Sequence, residues 1–372
     1  MKKVGIMSMQ RIANYGSFLQ AYALKKLIEE LDCKVEFVDY HVGNPVIFRE
    51  KNNNNKVIYK LQKGLEIFKI KAPIYQKLLY IRYKQNFHKK YMPFLGVTNK
   101  MNYNPMLDCL IIGSDEVFNC IQQNPNVGYS LELFGKDNKA KRLISYAASF
   151  GNTTLEKLKK YGKENEIELL LKRFDKISVR DKNSGVIVRQ LTGKVPVYNL
   201  DPVLIYDYLN CCDRIPQIEV KEKYLILYAY AGRISNKEAD WITKYASKRK
   251  LKVYAIGGIQ KCADRFLDCS PFEVLAYFKN AEEVITDTFH GSIFSVIAHR
   301  PFAVVVRKSI GNSYGNEEKI IDLLNRLGLI NRMAMNIEET ENINNRSINY
   351  VKVDHLLTKQ RRNAKQYLRE SI

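Results

Sequence analysis

The sequence predicts an α/β protein with two parallel-sheet domains. Three observations carry that prediction. Short apolar runs alternate with stretches of helical periodicity along most of the chain, the pattern of βαβ units and hence of parallel sheets. Many of those runs end in small polar loops of Gly, Ser, Asp or Asn. At 372 residues the chain is too long for one ordinary domain. Composition agrees: 46% hydrophobic and 27% charged residues exclude a wholly disordered chain, and 19 Gly with 10 Pro exclude a collagen-like or low-complexity one.

Taken in order, a strand is expected over 4–9, a loop at Asn14-Tyr15-Gly16-Ser17, an amphipathic helix over 18–31 and a strand over 35–40. Residues 49–91 break the alternation, with twelve Lys or Arg against two Glu and with Tyr, Phe and Ile interleaved. They read as a basic helical insertion with a polar loop tip at 52–55. The alternation resumes with strands over 107–112 and 143–146, a charged helix over 155–174, a strand over 176–180, a helix over 184–191 and a strand over 195–198. Residues 206–223 are polar and cysteine-bearing and read as a linker. A second series follows: strand 224–230, helix 234–248, strand 252–256, helix 272–279, strand 283–286, a helix ending at Ala298, strand 302–306 and helix 319–327. The basic tail over 351–370 is expected to be helical. The domains are then 1–205, carrying the insertion, and 206–345, with 346–372 packing back on the first. Two Rossmann-like domains facing each other across a cleft are the expected architecture, and such sheets bind ligands beyond the carboxyl ends of their strands.

Sixty Lys and Arg against 39 Asp and Glu give a net charge of +21, which calls for an anionic partner: phosphate, nucleic acid, a membrane surface or an acidic sugar. No run reaches the ~18 apolar residues that cross a bilayer, and the apolar part of the basic N-terminus is too short for a secretory signal. A cytoplasmic protein is expected; the basic insertion reads as a solvated helix pair packed on the domain, with a surface for anionic lipid or a lipid-linked acceptor at the inner face of the membrane as the sharper alternative. The seven cysteines are scattered, without a CxxC pair or zinc spacing, and read as buried thiols. Neither GxGxxG nor a P-loop occurs, so nicotinamide cofactors and ATP gain no support. Nucleic-acid binding has the charge and 24 tyrosines for stacking in its favour, but no recognised motif, and the charge is concentrated in 49–91 and the tail.

Asp287-Thr288-Phe289-His290-Gly291-Ser292 is the sharpest chemical feature. A strand runs into a polar loop with a histidine, and a helix starts there whose backbone N–H groups, at Gly291 and Ser292, suit an anion. His290 is the candidate general acid or base. An ordinary strand-end hydrogen bond is the alternative for any histidine, and here the two readings stand about even. Arg180, at another strand end, offers a planar fork for carboxylate or phosphate, against the alternative of an ion pair with Asp181 or Asp175. Lys319, after the loop Gly311-Asn312-Ser313-Tyr314-Gly315-Asn316, and Arg307 and Lys308 are further candidate cations. Asn14, Tyr15 and Gly16, together with Ser114, Asp115 and Asn119, lie in polar loops able to hydrogen-bond sugar hydroxyls, although ordinary turn chemistry uses the same residue types.

These segments together resemble the polysaccharide pyruvyltransferase family. The resemblance rests on Asn14-Tyr15-Gly16 with Leu19-Gln20-Ala21-Tyr22-Ala23-Leu24, Gly113-Ser114-Asp115-Glu116-Val117-Phe118-Asn119, Ser145-Tyr146-Ala147-Ala148-Ser149-Phe150-Gly151, Ser178-Val179-Arg180-Asp181, Asp201-Pro202-Val203-Leu204 and Thr286-Asp287-Thr288-Phe289-His290-Gly291. Each motif alone is weak; six in the family's order, over roughly residues 4–330, are specific. The resemblance implies a fold like the two-domain GT-B glycosyltransferases. It also implies phosphoenolpyruvate as donor substrate, a sugar of a surface polysaccharide or its lipid-linked precursor as acceptor, and a pyruvate ketal as product. On it, His290 matches the catalytic histidine and Arg180 the donor-binding arginine, Lys319 joins the donor site, and Asp287 orients His290 or takes a hydroxyl proton. Better-known members often carry an arginine where this chain has Thr288, so another cation, Arg307 or Lys308, has to substitute. No dense carboxylate cluster marks a metal site, which leaves dependence on a divalent metal open. A glycosyltransferase using a nucleotide sugar on the same architecture is the competing reading, because fold alone does not fix function.

Overall fold

In the computed structural model, residues 1–47, 67–307 and 317–372 are described. They form two compact units: residues 1–47, 88–207 and 354–372 make the first, and 67–87, 208–307 and 317–353 the second. The basic stretch expected as an insertion of the first domain thus gives residues 67–87 to the second unit. Its loop tip at 52–55 lies outside the described residues, as do Lys308 and the loop at 311–316.

Six strands build the first unit's sheet: β1 (Lys3–Met7), β2 (Lys34–Phe37), β3 (Cys109–Asp115), β4 (Arg142–Ala148), β5 (Ser178–Val179) and β6 (Val197–Tyr198). They are parallel and ordered β2-β1-β3-β4-β5-β6. β3 reads as a continuous apolar run because both of its faces are covered, and all but its last residue are buried. The packing is tight: a side chain added at Gly5 on β1 would sit 2.4 Å from Leu107 Cδ1. The second sheet contains β7 (Tyr224–Tyr228), β8 (Lys252–Ile256), β9 (Arg265–Phe266), β10 (Glu283–Thr286), β11 (Phe302–Val305) and β12 (Met333–Ala334). It is also parallel, ordered β12-β11-β10-β7-β8-β9. Counted within the unit this is the 3-2-1-4-5-6 order of a dinucleotide-type sheet, while the first unit has the 2-1-3-4-5 order of the flavodoxin type with a strand added. Both units are α/β and Rossmann-like.

Local chemistry moved several boundaries. The helix expected from residue 18 starts at Tyr15, because the Asn14 side chain accepts from Gly16 N at 2.7 Å and Ser17 N at 3.4 Å and caps the Tyr15–Glu29 helix. The helix expected over 155–174 is two, Leu155–Lys160 and Glu164–Lys172, parted at Gly162, whose φ is +63°. Within 206–223, Tyr208–Cys211 forms a helical turn. β9 and β12, each two residues long, have no counterpart in the sequence reading.

Two helices have residues in both units. The Ile74–Leu95 helix buries Gln76, Tyr80, Tyr83 and Phe87. Tyr80 and Tyr83 meet Phe266 edge-on, at 5.5 and 6.1 Å between ring centroids, and Gln76 Nε2 donates to the Ala263 carbonyl at 3.0 Å. The Tyr350–Ser371 helix gives its later turns to the first unit. There Tyr367 Oη donates to the Ser145 carbonyl at 2.8 Å, Arg361 Nε donates to the Leu204 carbonyl at 3.1 Å, and Ala364 and Leu368 are fully buried. Leu368→Ala therefore leaves a cavity costing about 2–5 kcal/mol. A urea unfolding curve should shift to clearly lower concentration for this variant, and an unchanged curve would show that the tail adds nothing to the first unit.

Candidate functional site

In an open parallel sheet the ligand crevice opens where strand order reverses, beyond the carboxyl ends of the strands. In the second unit that point lies between β7 and β10. The loop after β10 carries Asp287 and His290, and the loop after β7 carries Arg233. In the first unit it lies between β1 and β3, where the Asn14 cap and first turn of the Tyr15–Glu29 helix and the end of β3 with its following loop, Ser114–Asn119, are found. Topology alone brings most of the predicted site residues to these two places.

In the second unit Thr288 caps the Phe289–Ile297 helix, its Oγ1 accepting from Gly291 N at 2.9 Å. Thr286 Oγ1 lies 3.1 Å from Thr288 Oγ1 and donates to the Tyr228 carbonyl at 2.7 Å, which ties the β10 end to the β7 end. This knot explains Gly291, because a Cβ there would stand 2.1 Å from Thr286 Oγ1. It also turns two predicted donor groups inward. The N–H of Gly291 is taken by the cap, and the fully buried Ser292 donates from Oγ to the Thr288 carbonyl at 3.2 Å. His290, half-buried in the first turn, packs its ring edge-on to Phe289 at 5.4 Å and 6.1 Å from Phe294.

Asp287 is 1% exposed. Burial pushes its carboxyl above the usual carboxylate range, and Arg233 and Arg307 oppose that push. Its Oδ2 is 3.6 Å from Arg233 Nε and 3.5 Å from Arg307 Nε, and Arg233 Nη1 also donates to the Asp287 carbonyl at 3.4 Å. Arg307 Nη1 donates to Glu238 Oε1 at 2.6 Å. Burial works to raise the Glu238 carboxyl, but Arg307 and the Ser235 N–H outweigh it and hold the group below its ordinary value. Both arginine side chains keep 24% exposure, enough to present N–H groups to a ligand. The resemblance gives Asp287 the role of orienting His290 or taking a hydroxyl proton; its carboxylate here faces two arginines. Sequence reasoning missed Arg233, although the carboxyl-end rule applied to β7 flags it directly. Lys319 is half-buried in the first turn of the Glu317–Arg326 helix.

The first unit reverses the charge pattern. Arg180, just past β5, is 4% exposed, and its Nη1 donates to the fully buried Asp201 at 2.8 Å while Nη2 lies 3.6 Å from Asp115 Oδ1. Burial alone would lower its pKa; Asp115, Asp201, Glu116 and Asp181 together hold it above the ordinary value. Ser17 Oγ donates to Asp115 Oδ2 at 3.0 Å, linking the loops after β1 and β3 across the switch point. Of the six residues predicted for acceptor binding, Tyr15, Gly16, Ser114 and Asn119 are buried, and Asn14 and Asp115 keep partial exposure. Ser114 Oγ donates to the Ala147 carbonyl at 2.9 Å; Asn119 donates to Glu116 at 3.0 Å and accepts from Thr153 Oγ1 at 2.9 Å. These buried groups shape the loops, and the surface left is carboxylate-rich: Asp115 and Glu116 beside Asn14. Among the described residues, no group of three or more His, Cys, Asp or Glu side chains is placed to hold a metal ion, and no helix is long and apolar enough to cross a membrane.

No curated protein matches the chain. Solved structures similar to it include Staphylococcus aureus MnaA in a co-structure with UDP, at 11% identity and TM-score 0.46 over 100% of this chain and 91% of that one. Methanocaldococcus jannaschii UDP-GlcNAc 2-epimerase in complex with UDP-GlcNAc and UDP shows 11% identity and TM-score 0.48, over 96% and 99% of the two chains. Acinetobacter baumannii MurG shows 12% and 0.41, over 100% and 98%. The sequence itself matches the family described as polysaccharide pyruvyl transferase over residues 14–309, a span that begins at the Asn14 cap and runs past Arg307. That span covers most of the chain and both switch points, so this protein belongs to the polysaccharide pyruvyl transferase family.

Proposed function

We propose that the protein transfers the pyruvyl group of phosphoenolpyruvate to a sugar of a surface polysaccharide or its lipid-linked precursor and closes a pyruvate ketal across two hydroxyls. The observation that carries this reading is the opposed charge of the two switch points. A donor with a phosphate and a carboxylate needs several cations, and the second unit gathers Arg233 and Arg307 on Asp287, three residues before His290 in the chain. A polyhydroxyl acceptor needs hydrogen-bond acceptors, and the first unit presents Asp115 and Glu116.

In this reading Arg233 and Arg307 hold the donor's anionic groups as planar forks. Lys319 adds charge from the Glu317–Arg326 helix. Arg233 supplies the cation that Thr288 cannot. His290 protonates the methylene carbon of the donor, and positive charge develops on the adjacent carbon. A sugar hydroxyl adds there and loses its proton. Phosphate then leaves with its bridging oxygen, the second hydroxyl attacks the same carbon, and its proton departs, so one donor and one diol give one ketal and one phosphate. A positioned acid–base group contributes ~10²–10⁴ in rate. The arginines also stabilise the phosphate as it departs. The site works beside the inner leaflet if the acceptor is lipid-linked.

The family resemblance assigns Arg180 to the donor as well. With its guanidinium on Asp201 and Asp115, we place it as the cation that positions the Asp115 loop. Arg180→Ala leaves buried carboxylates uncompensated at a cost of about 3–5 kcal/mol, so thermal stability should collapse together with activity. Unchanged stability with a raised KM for phosphoenolpyruvate would return Arg180 to donor binding.

A thermal-shift series with phosphoenolpyruvate and a panel of nucleotide sugars tests the donor. Ligand at ~100 times its Kd adds about 2.7 kcal/mol. Phosphoenolpyruvate should raise Tm by several degrees in the wild type and much less in Arg233→Ala. A shift with a nucleotide sugar alone would make this a glycosyltransferase. His290→Ala should keep the phosphoenolpyruvate shift and lose phosphate release by at least about a hundredfold; turnover at the wild-type rate would remove His290 from the chemistry.

A further inference from the structure

The second unit carries an apolar surface row that nothing in the transfer chemistry uses. Phe68, Ile74, Tyr75 and Leu78 are 54%, 71%, 54% and 57% exposed, where chains of this kind are normally covered. They are displayed by construction. The opposite face of the Ile74–Leu95 helix, with Gln76, Tyr80 and Tyr83, is seated against Ala263 and Phe266, which leaves Ile74 and Leu78, one turn apart, pointing away. Lys77 Nζ donates to the Phe68 carbonyl at 2.8 Å and lies 5.8 Å from the Phe68 ring centroid, which fixes that aromatic next to the helix start. The Tyr75 hydroxyl donates to the Asp264 carbonyl at 3.0 Å while its ring remains outside.

Within residues 67–87 the charged side chains have one sign. Residues 67–87 contain Lys69, Lys71, Lys77, Arg82 and Lys84 and no Asp or Glu. Among the described residues, Asp268 lies 3.3 Å from Arg82 and Asp264 3.4 Å from Lys252, so each of these carboxylates faces a cation. Lys69 and Lys71 are exposed beside Phe68 and Ile74.

We propose that Phe68, Ile74, Tyr75 and Leu78, flanked by Lys69 and Lys71, form a docking surface for an anionic lipid bilayer. Exposed apolar side chains next to exposed lysines match an interface that is anionic at its headgroups and hydrocarbon beneath them. A nucleic acid would answer the lysines but offers nothing to Ile74 and Leu78. The proposal is independent of the donor and acceptor assigned above, and its test reads partitioning, so a failure here leaves the transfer reading untouched.

The test is co-sedimentation of the full chain with vesicles of phosphatidylglycerol and phosphatidylcholine, and with pure phosphatidylcholine, at about 0.1 M salt. The protein should pellet with the anionic vesicles, much less with the neutral ones, and less again as salt is raised. The combined variant Phe68→Ser, Ile74→Ser, Leu78→Ser should lose about tenfold or more in partitioning with unchanged Tm, since the replaced chains are exposed. Lys69→Glu with Lys71→Glu should do the same through charge alone. No sedimentation with either vesicle, or equal partitioning of the triple serine variant, would overturn the proposal. So would a dimer in solution that the triple variant dissolves, because the row would then belong to a second copy of the chain.

Discussion

A charge buried at the end of a parallel strand has to be answered by charges from neighbouring strands, and both sites of this protein are built around that demand. Asp287 stands almost without solvent beyond β10. Arginines arrive from the loops after β7 and β11, and Glu238, capping box included, steadies one of them. Arg180 makes the mirror-image demand beyond β5, and carboxylates arrive from the loops after β3 and β6. One unit thus surrounds a buried anion with cations, the other a buried cation with anions. The sign of the buried group decides what each loop cluster offers to solvent. Neither cluster needs a special motif, since strand order already delivers those loops to one place.

This logic separates the charged side chains that keep contact with solvent from the buried residues that hold them in place. Thr286, Thr288 and Gly291 form a compact knot whose hydrogen bonds are internal. It sets the start of the histidine-bearing helix and joins the β10 end to the β7 end. Ser114, Asn119 and Thr153 do the same in the first unit, where Asn119 receives the Thr153 hydroxyl and holds Glu116. Motifs rich in small polar residues are therefore read best as carpentry around a few exposed charges. In this chain those charges are Arg233, Arg307, Asp115 and Glu116.

Much of the fold was legible because parallel strands buried on both faces leave uninterrupted apolar runs, as β3 and β7 show. The histidine loop was legible because a strand, a polar turn and a helix start are all written locally. What was not legible depends on distance along the chain. Arg233 lies 54 residues from Asp287, and no local pattern marks it. Arg180 reads in sequence either as a fork for a ligand or as paired with the near neighbours Asp181 or Asp175, because its partners Asp115 and Asp201 are far away in sequence. Residues 67–87 looked like an insertion in the first domain because sequence order places them there, whereas the Phe266 contacts that claim them come late in the chain.

The division of the chain also carries a consequence for its synthesis. The first unit is closed by residues 354–372, and the second by residues 67–87, which precede most of the first. Neither unit is a continuous stretch of sequence. As the ribosome emits the chain, residues 67–87 wait for the β8–β9 region, and the sockets for Ala364 and Leu368 stay open until the last turns appear. Domain-by-domain folding from the N-terminus, the common route for chains of this size, is closed to it. The first unit needs residues on both sides of the second, and no single cut can release either one intact.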